Sequence, residues 1–290
     1  MFRNTIAAAA VALAFGAAIP AYAETPAFTQ EYVSAAAASS GYTEQEITAL
    51  LRQAEVQPRI LELMNKPAEK TMTWGTYYSK VITPERVAAG RAFMANYAAE
   101  LERAEATYGV PKEIISAIIG VETKYGTIKG NYRVLDSLAT LGFGYPRRAA
   151  FFQKELTAFL ALAKHGDVDP LVTKGSYAGA LGWPQFMPSN VSKLATDFDG
   201  DGKIDLVNSP ADAIGSVAKY FKENGWKTGE PVSRALNGEE GSNLKMDGLD
   251  GPVYFKTEAN FKAIKRYNQS NLYAMAVYLL SEQLRASAGQ

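Results

Sequence analysis

Cysteine is absent from the 290-residue chain, and histidine occurs once, at position 165. The first absence removes disulfides, thiolate metal sites, cysteine nucleophiles and lipid attachment through an N-terminal cysteine. The second removes paired-histidine metal sites and leaves any Ser-His-Asp triad dependent on His165 alone. No G-x-S-x-G turn accompanies it, and His165, beside Gly166 and Asp167, reads as a group serving the last carbonyls of a helix. Net charge is missing too: 30 basic residues face 30 acidic ones, so the balance gives no reason to expect nucleic acid as a partner. A spanning segment is lacking as well. The apolar run from Ile6 to Ile19 falls short of the roughly 20 residues a membrane helix needs, and Gly16 and Pro20 interrupt it.

That run has another use. Arg3 supplies a positive start, and Ala21-Tyr22-Ala23 forms an A-x-A cleavage site, so residues 1–23 read as a secretory signal peptide. The mature chain, residues 24–290, is expected to be exported and soluble, with no stable membrane anchor. Its 47% hydrophobic and 21% charged residues suit a globular protein with a sizeable core.

Helical signals dominate the mature chain. Thr43 and Glu46 have capping-box spacing and open a helix expected to run to about Ala54. Thr83-Pro84 starts a long pattern to about Thr107, and Gly109 with Pro111 closes it and opens the next helix. Further helices are expected near 134–141, 147–164, 188–195, 210–224 and 271–284. Residues 226–256 differ, being rich in glycine and turn residues with short runs such as Pro252-Val-Tyr-Phe-Lys256, and they read as a small insertion of strands.

One residue is out of place in this pattern. On a helix Ile115, Ile118, Glu122 and Tyr125 share a stripe, which sets a carboxylate among apolar neighbours. Burial there favours the neutral acid, the form that donates a proton near neutral pH. The same spacing allows Glu122 to lie at the stripe's edge as a cap or as a partner of Lys124.

Three other segments have chemical content. Asp197, Asp199, Asp201 and Asp205 occupy positions 1, 3, 5 and 9 of an EF-hand-like loop, Gly202 is at position 6, and Lys203 offers a backbone carbonyl. Position 12 is Asn208 where a bidentate Glu is usual. Asp212 is a candidate to close a longer loop, and equally a first-turn acid of a helix opened by Ser209-Pro210. A solvated acidic turn is the plain alternative; a calcium ion held here would be structural. The segment 175–188 sets Ser176, Tyr177, Trp183, Gln185 and Phe186 among glycines, which suits a sugar-binding wall and equally suits a core with turns. Before the last helix, Asn268 and Ser270 are candidate caps, and Tyr267 and Tyr273 are placed to reach a cleft.

Together these segments resemble the lytic murein transglycosylase B family, bacterial enzymes that cleave peptidoglycan. The resemblance rests on Ile119-Gly-Val-Glu-Thr-Lys-Tyr-Gly126, on Val134-Leu-Asp-Ser-Leu-Ala-Thr-Leu141 through Tyr145-Pro-Arg-Arg148, on residues 176–189, on the acidic loop and on Arg266-Tyr-Asn-Gln-Ser270. It covers most of the mature chain, in order. It implies a mainly α fold: a lysozyme-like helical core, an additional helical subdomain and a small mixed α/β insertion. It places the family's catalytic glutamate on Glu122 and substrate-binding groups on Ser176, Tyr177, Gln185, Tyr267, Asn268 and Tyr273. The partner it implies is the glycan strand of peptidoglycan. The reaction it implies is cleavage between N-acetylmuramic acid and N-acetylglucosamine without water, leaving a 1,6-anhydro end. Some members are lipoproteins, and the missing cysteine points instead to a soluble periplasmic form. A hydrolytic muramidase on the same fold, and a non-catalytic calcium-stabilised wall-binding protein, are the competing expectations.

Overall fold

Thirteen α-helices account for most of the described residues, 24–65 and 72–286, of the computed structural model. The expected signal peptide, residues 1–23, lies outside them. Helices α1 (Gln30–Ser40) and α2 (Glu44–Leu51) come first, and α2 begins at the expected capping box. Glu46 N donates to Thr43 Oγ1 at 3.2 Å, and Thr43 N donates back to Glu46 Oε2 at 2.7 Å. After α3 (Pro58–Asn65) and α4 (Trp74–Val81), the long helix expected from 83 to 107 is two, α5 (Pro84–Asn96) and α6 (Ala98–Tyr108). Tyr97 leaves helical geometry at φ −121°, ψ 34° and divides them. Gly109, at φ 70°, ends α6 in the left-handed conformation glycine adopts readily, and α7 (Lys112–Thr123) follows.

The second half contains α8 (Val134–Gly144), α9 (Ala149–His165), α10 (Pro188–Leu194), α11 (Pro210–Glu223), α12 (Ala259–Tyr267) and α13 (Asn271–Arg285). A two-residue strand β1 (Tyr132–Arg133) pairs antiparallel with β2 (Lys174–Gly175). The glycine-rich insertion forms a three-stranded antiparallel sheet of β3 (Ser233–Leu236), β4 (Leu244–Asp247) and β5 (Pro252–Thr257), in the order β3-β5-β4. The mainly α architecture with a small mixed insertion is therefore present.

Two apolar clusters hold the molecule. One gathers α7, α11 and α13 around Ile115, Ile118, Phe221 and Leu280, all fully buried, and takes in Met246 and Phe255 from the sheet. The other gathers α1, α8 and α9 around Leu135, Leu138, Leu156 and Phe159. Full burial of each such side chain stabilises by about 1.5–3 kcal/mol before entropy is counted. Tyr267 packs against both clusters. It stacks on Phe221 at 5.8 Å and approaches Phe186 at 5.9 Å, so it sits on the seam where the two halves meet.

Close packing at α7 depends on glycine. A Cβ on Gly120 would come within about 2.5 Å of the Tyr125 ring, and one on Gly90 of α5 would meet the same phenol. Gly120→Ala is expected to lower the melting temperature by roughly 3–10 °C through overpacking. Thermal unfolding followed by circular dichroism checks this; an unchanged transition would remove Gly120 from the packing account.

Candidate active site

The only non-glycine residues with positive φ among those described are Lys124 (48°), Tyr125 (55°) and Gln185 (51°). All three border Glu122 or the glycine-rich wall. Left-handed backbone at such residues stores roughly 1–3 kcal/mol each and persists only where the surroundings impose it. The stripe expected to include Tyr125 is corrected accordingly. Helix α7 ends at Thr123, and Lys124, Tyr125 and Gly126 all turn left-handed. The chain doubles back, and Tyr125 reaches the helix from outside through the slot left by Gly90 and Gly120. Its phenol is buried without a hydrogen-bond partner, and burial pushes its ionisation well above the ordinary range.

Glu122 occupies the last turn of α7 and is half-buried, whereas Ile115 and Ile118 on its stripe are fully covered. Its neighbour Thr123 is fully buried and acts as a clamp. Thr123 Oγ1 accepts from Gly126 N at 3.0 Å and lies 3.1 Å from both the Ile119 and Trp183 carbonyl oxygens, to which it can donate. One hydroxyl thus joins the helix end, the reversed turn and the glycine-rich segment. Sequence reasoning passed over Thr123 because a threonine beside a charged residue carries no periodic signal.

Across from α7, helix α13 supplies Tyr273, which is 2% exposed. Ser270 caps that helix, its Oγ accepting from Tyr273 N at 3.3 Å. The Tyr273 hydroxyl donates to Glu122 Oε1 at 2.6 Å, the short separation typical of a charge-assisted bond. Tyr267 stacks on Tyr273 at 6.5 Å with rings inclined by 14° and donates to the Pro184 carbonyl at 2.6 Å. Burial, followed by the nearby Glu122 charge, holds both phenols protonated far above their ordinary range. Glu122 is the one carboxylate whose charge is felt at either of them among the described residues. Tyr77 of α4 also lies within electrostatic reach of Tyr273; no motif marked it.

The glycine-rich wall is tied down from within. Ser176 Oγ accepts from Ala178 N and Ala180 N at 3.2 and 3.0 Å, so it is left as a donor. Gln185 Nε2 donates to Lys129 O at 3.1 Å and Gly182 O at 2.8 Å; both amide protons are spent and its carbonyl is left as an acceptor. Asn268 Oδ1 accepts from Ser270 N at 3.2 Å, which leaves its amide protons to donate. Tyr177 is 36% exposed, whereas Phe186 is core.

The acidic loop is only partly gathered. Carboxylate oxygens of Asp197, Asp199 and Asp212 lie within 4.8 Å of one another, a spacing suited to one ion with ligands at about 2.3–2.6 Å. Asp212 is buried; its oxygens accept from Phe198 N at 2.7 Å and Asp205 N at 2.8 Å. Burial pushes its ionisation upward, and the neighbouring Asp199 charge adds to the same direction despite those amides. A buried carboxylate facing two others is the feature a divalent cation would relieve, so these residues fit calcium. Asp212 is also in the first turn of α11, where Ser209 caps it. Asp201 accepts from Lys203 N and Asp205 from Asn208 N, both at 2.8 Å, so their carboxylates serve the loop itself here. His165 ends α9 exposed and meets Asp167 at 3.0 Å; the aspartate raises its ionisation, and it stands outside the site.

A lone half-buried acid at a helix end, held by a buried tyrosine and faced by an aromatic and amide-lined wall, defines a lysozyme-like helical protein built for a glycan. Similarity to known proteins makes the assignment specific. The family described as Transglycosylase SLT domain matches residues 25–251 and 234–282, and the chain belongs to that family. It is 40% identical over 294 residues to the membrane-bound lytic murein transglycosylase B of Escherichia coli K12, covering 87% of this chain and 81% of that protein. The structure of the Escherichia coli lytic transglycosylase Slt35 in complex with calcium is 39% identical, with a TM-score of 0.82 over 90% of this chain and 93% of that one. SltB3 of Pseudomonas aeruginosa, in complex with NAG-NAM-pentapeptide, is 31% identical, with a TM-score of 0.78 over 89% and 78% of the two chains. The lysozyme-like core expected from the motifs is thereby established.

Thr123→Val removes both the acceptor for Gly126 N and the donor to the helix and wall carbonyls. It is expected to cost about 1–3 kcal/mol, whereas Thr123→Ser keeps most of the stability. Urea denaturation of the two variants beside the parent separates these outcomes, and equal losses would refute the clamp.

Proposed function

We propose that Glu122 serves this lytic transglycosylase twice, first as acid and then as base, in cleaving the β-1,4 bond between N-acetylmuramic acid and N-acetylglucosamine. Family membership gives the class, a peptidoglycan lytic transglycosylase. The observation that carries the mechanism is the Tyr273–Glu122 bond, which fixes one carboxylate oxygen at the end of α7. The negative end of the helix favours the protonated acid, and the tyrosine donor favours the carboxylate. A group that must exist in both forms within one turnover is suited by such opposed influences.

Glu122 gives its proton to the glycosidic oxygen as the bond from that oxygen to the muramic C1 breaks. The resulting carboxylate takes the proton from the muramic C6 hydroxyl while O6 closes onto C1. Two protons and two C–O bonds are thus accounted for, Glu122 ends protonated as it began, and the product is a 1,6-anhydro end. An ordinary glycosidase needs a second carboxylate as base or nucleophile. Here the charge sensed at Tyr267 and Tyr273 comes from Glu122 alone among carboxylates, which favours the internal hydroxyl over water. The substrate's acetamido group assists at C1 in place of a protein nucleophile. Holding O6 near C1 is itself worth several kcal/mol of the barrier. Ser176 and Asn268 are assigned as donors to the sugars, Gln185 as an acceptor, and exposed Tyr177 as a stacking face.

Asp197, Asp199 and Asp212 are assigned as carboxylate ligands of a structural calcium ion. Asp201, Asp205 and the Lys203 carbonyl complete the set once the loop closes on it. The cation would cancel repulsion around buried Asp212 and hold the loop against Trp183, whose indole donates to Val207 O at 3.1 Å. The setting proposed is the periplasm, after removal of residues 1–23. No helix among the described residues is long and apolar enough to cross a membrane.

Digestion of purified peptidoglycan should yield anhydro ends with the parent, and Glu122→Gln should reduce turnover by at least about 10³-fold, as expected when the only proton-transfer group is lost. Mass analysis of the ends decides: reducing ends would favour hydrolysis, and an active variant would remove Glu122 from its role. Chelation should lower the melting temperature and added calcium restore it, because a ligand that binds only the native state stabilises it. A transition indifferent to both would contradict the metal assignment.

A further inference from the structure

A cavity of about 1130 Å³ opens between the C-terminal end of α9 and the acidic loop after α10, and Glu122 is not among its lining residues. Lys129, Asp167, Asp169, Lys174, Lys203 and Asp205 all face it. By simple count its charges cancel, but hydrogen bonding distinguishes them. Asp167 Oδ1 engages His165 Nδ1 at 3.0 Å, and Asp169 accepts from Leu171 N at 2.8 Å. Asp205 accepts from Val207 N at 2.9 Å and Asn208 N at 2.8 Å. Asp197, which also lines the space, accepts from Gly200 N at 2.7 Å and Gly202 N at 2.9 Å. Each acid is engaged by the protein's own donors.

The ammonium groups are not. Lys174 and Lys203 are exposed and enter no hydrogen bond or ion pair among the described residues. Lys129 gives one proton to Val207 O at 2.7 Å and has two more. The uncommitted charge facing the cavity is therefore positive. Val172, 65% exposed, adds an apolar wall beside it. Uncommitted ammonium groups next to apolar surface suit a carboxylate-bearing peptide better than a bare inorganic anion.

Short links join this cavity to the active site. Ile128 N donates to Thr123 O at 2.9 Å, so the strip leading to Lys129 folds back against the residue after Glu122. Lys129 O receives the Gln185 amide at 3.1 Å, and Lys129 Nζ shares Val207 O with the Trp183 indole. A ligand could thus reach from the sugar wall into the cavity over adjoining residues. We propose that the cavity holds the peptide stem carried by the muramic acid of the substrate, its carboxylates meeting Lys174, Lys203 and Lys129. The identity of the ligand rests on the peptidoglycan reading of the active site; the carboxylate preference rests on the cavity alone.

Isothermal titration of the calcium-loaded mature protein with a synthetic stem tetrapeptide bearing free carboxylates, and with its fully amidated counterpart, tests this directly. The acid form should bind about tenfold more tightly than the amidated form. Lys174→Glu should weaken it by about fivefold to tenfold, and Lys174→Arg should keep parental affinity and control for folding. Equal affinity for the two peptides, binding indifferent to Lys174→Glu, or no binding at millimolar peptide would each overturn the proposal. No glycosidic bond is present in the titration. Its failure therefore leaves the cleavage reading intact, and the absence of anhydro ends from murein would defeat that reading without touching this result.

Discussion

The hydrogen bond from Tyr273 to Glu122 is the contact on which the rest of the arrangement depends. It joins the last turn of α7 to the first turn of α13, two helices whose apolar faces form one cluster, and it does so at 2.6 Å with a buried donor. A carboxylate in the last turn of a helix meets the negative end of the dipole and would be poorly solvated beside Ile118. The tyrosine offsets that penalty at one oxygen. The reversed turn through Lys124, Tyr125 and Gly126 then prevents α7 from extending over the cleft, and Thr123 locks the turn to the wall. Backbone strain here is held by packing on both sides, with Tyr125 between two glycines and Trp183 against Gly126.

Much of this was legible in the residues. The capping box at Thr43, the glycine stop at Gly109, the Ser209-Pro210 start and the cap at Ser270 are local signals, and each forms where its side chain dictates. The oddity of Glu122 was legible for the same reason, since a carboxylate among isoleucines breaks a short-range pattern. Helices α1, α3, α4 and α12 were not anticipated. Helix α1 is largely Ala and Ser and carries no apolar period, and α12 is rich in Lys and Arg; tertiary contact decides both. The divided helix at Tyr97 escaped notice because nothing in its composition marks a break.

The site's long-range part was less visible. Tyr273 lies 151 residues from Glu122, and no spacing rule relates them. Resemblance to a family located both residues; their hydrogen bond came from the fold. Ser176 and Gln185 show a further limit. Both were named as sugar-binding groups from chemistry, yet part of their hydrogen-bonding capacity is committed to the loop. Only the structure shows which atoms are left, and it turns a general polar wall into one with distinct donor and acceptor positions. The same distinction, applied to spent acids and uncommitted lysines, gave the neighbouring cavity its ligand preference.

The central claim is that an internal hydroxyl, rather than water, completes the reaction that Glu122 begins. Digestion of peptidoglycan in water enriched in ¹⁸O, followed by mass spectrometry of the released fragments, tests it most directly. The account predicts anhydro ends that carry no label from the solvent. Labelled reducing ends formed as the primary product would contradict it.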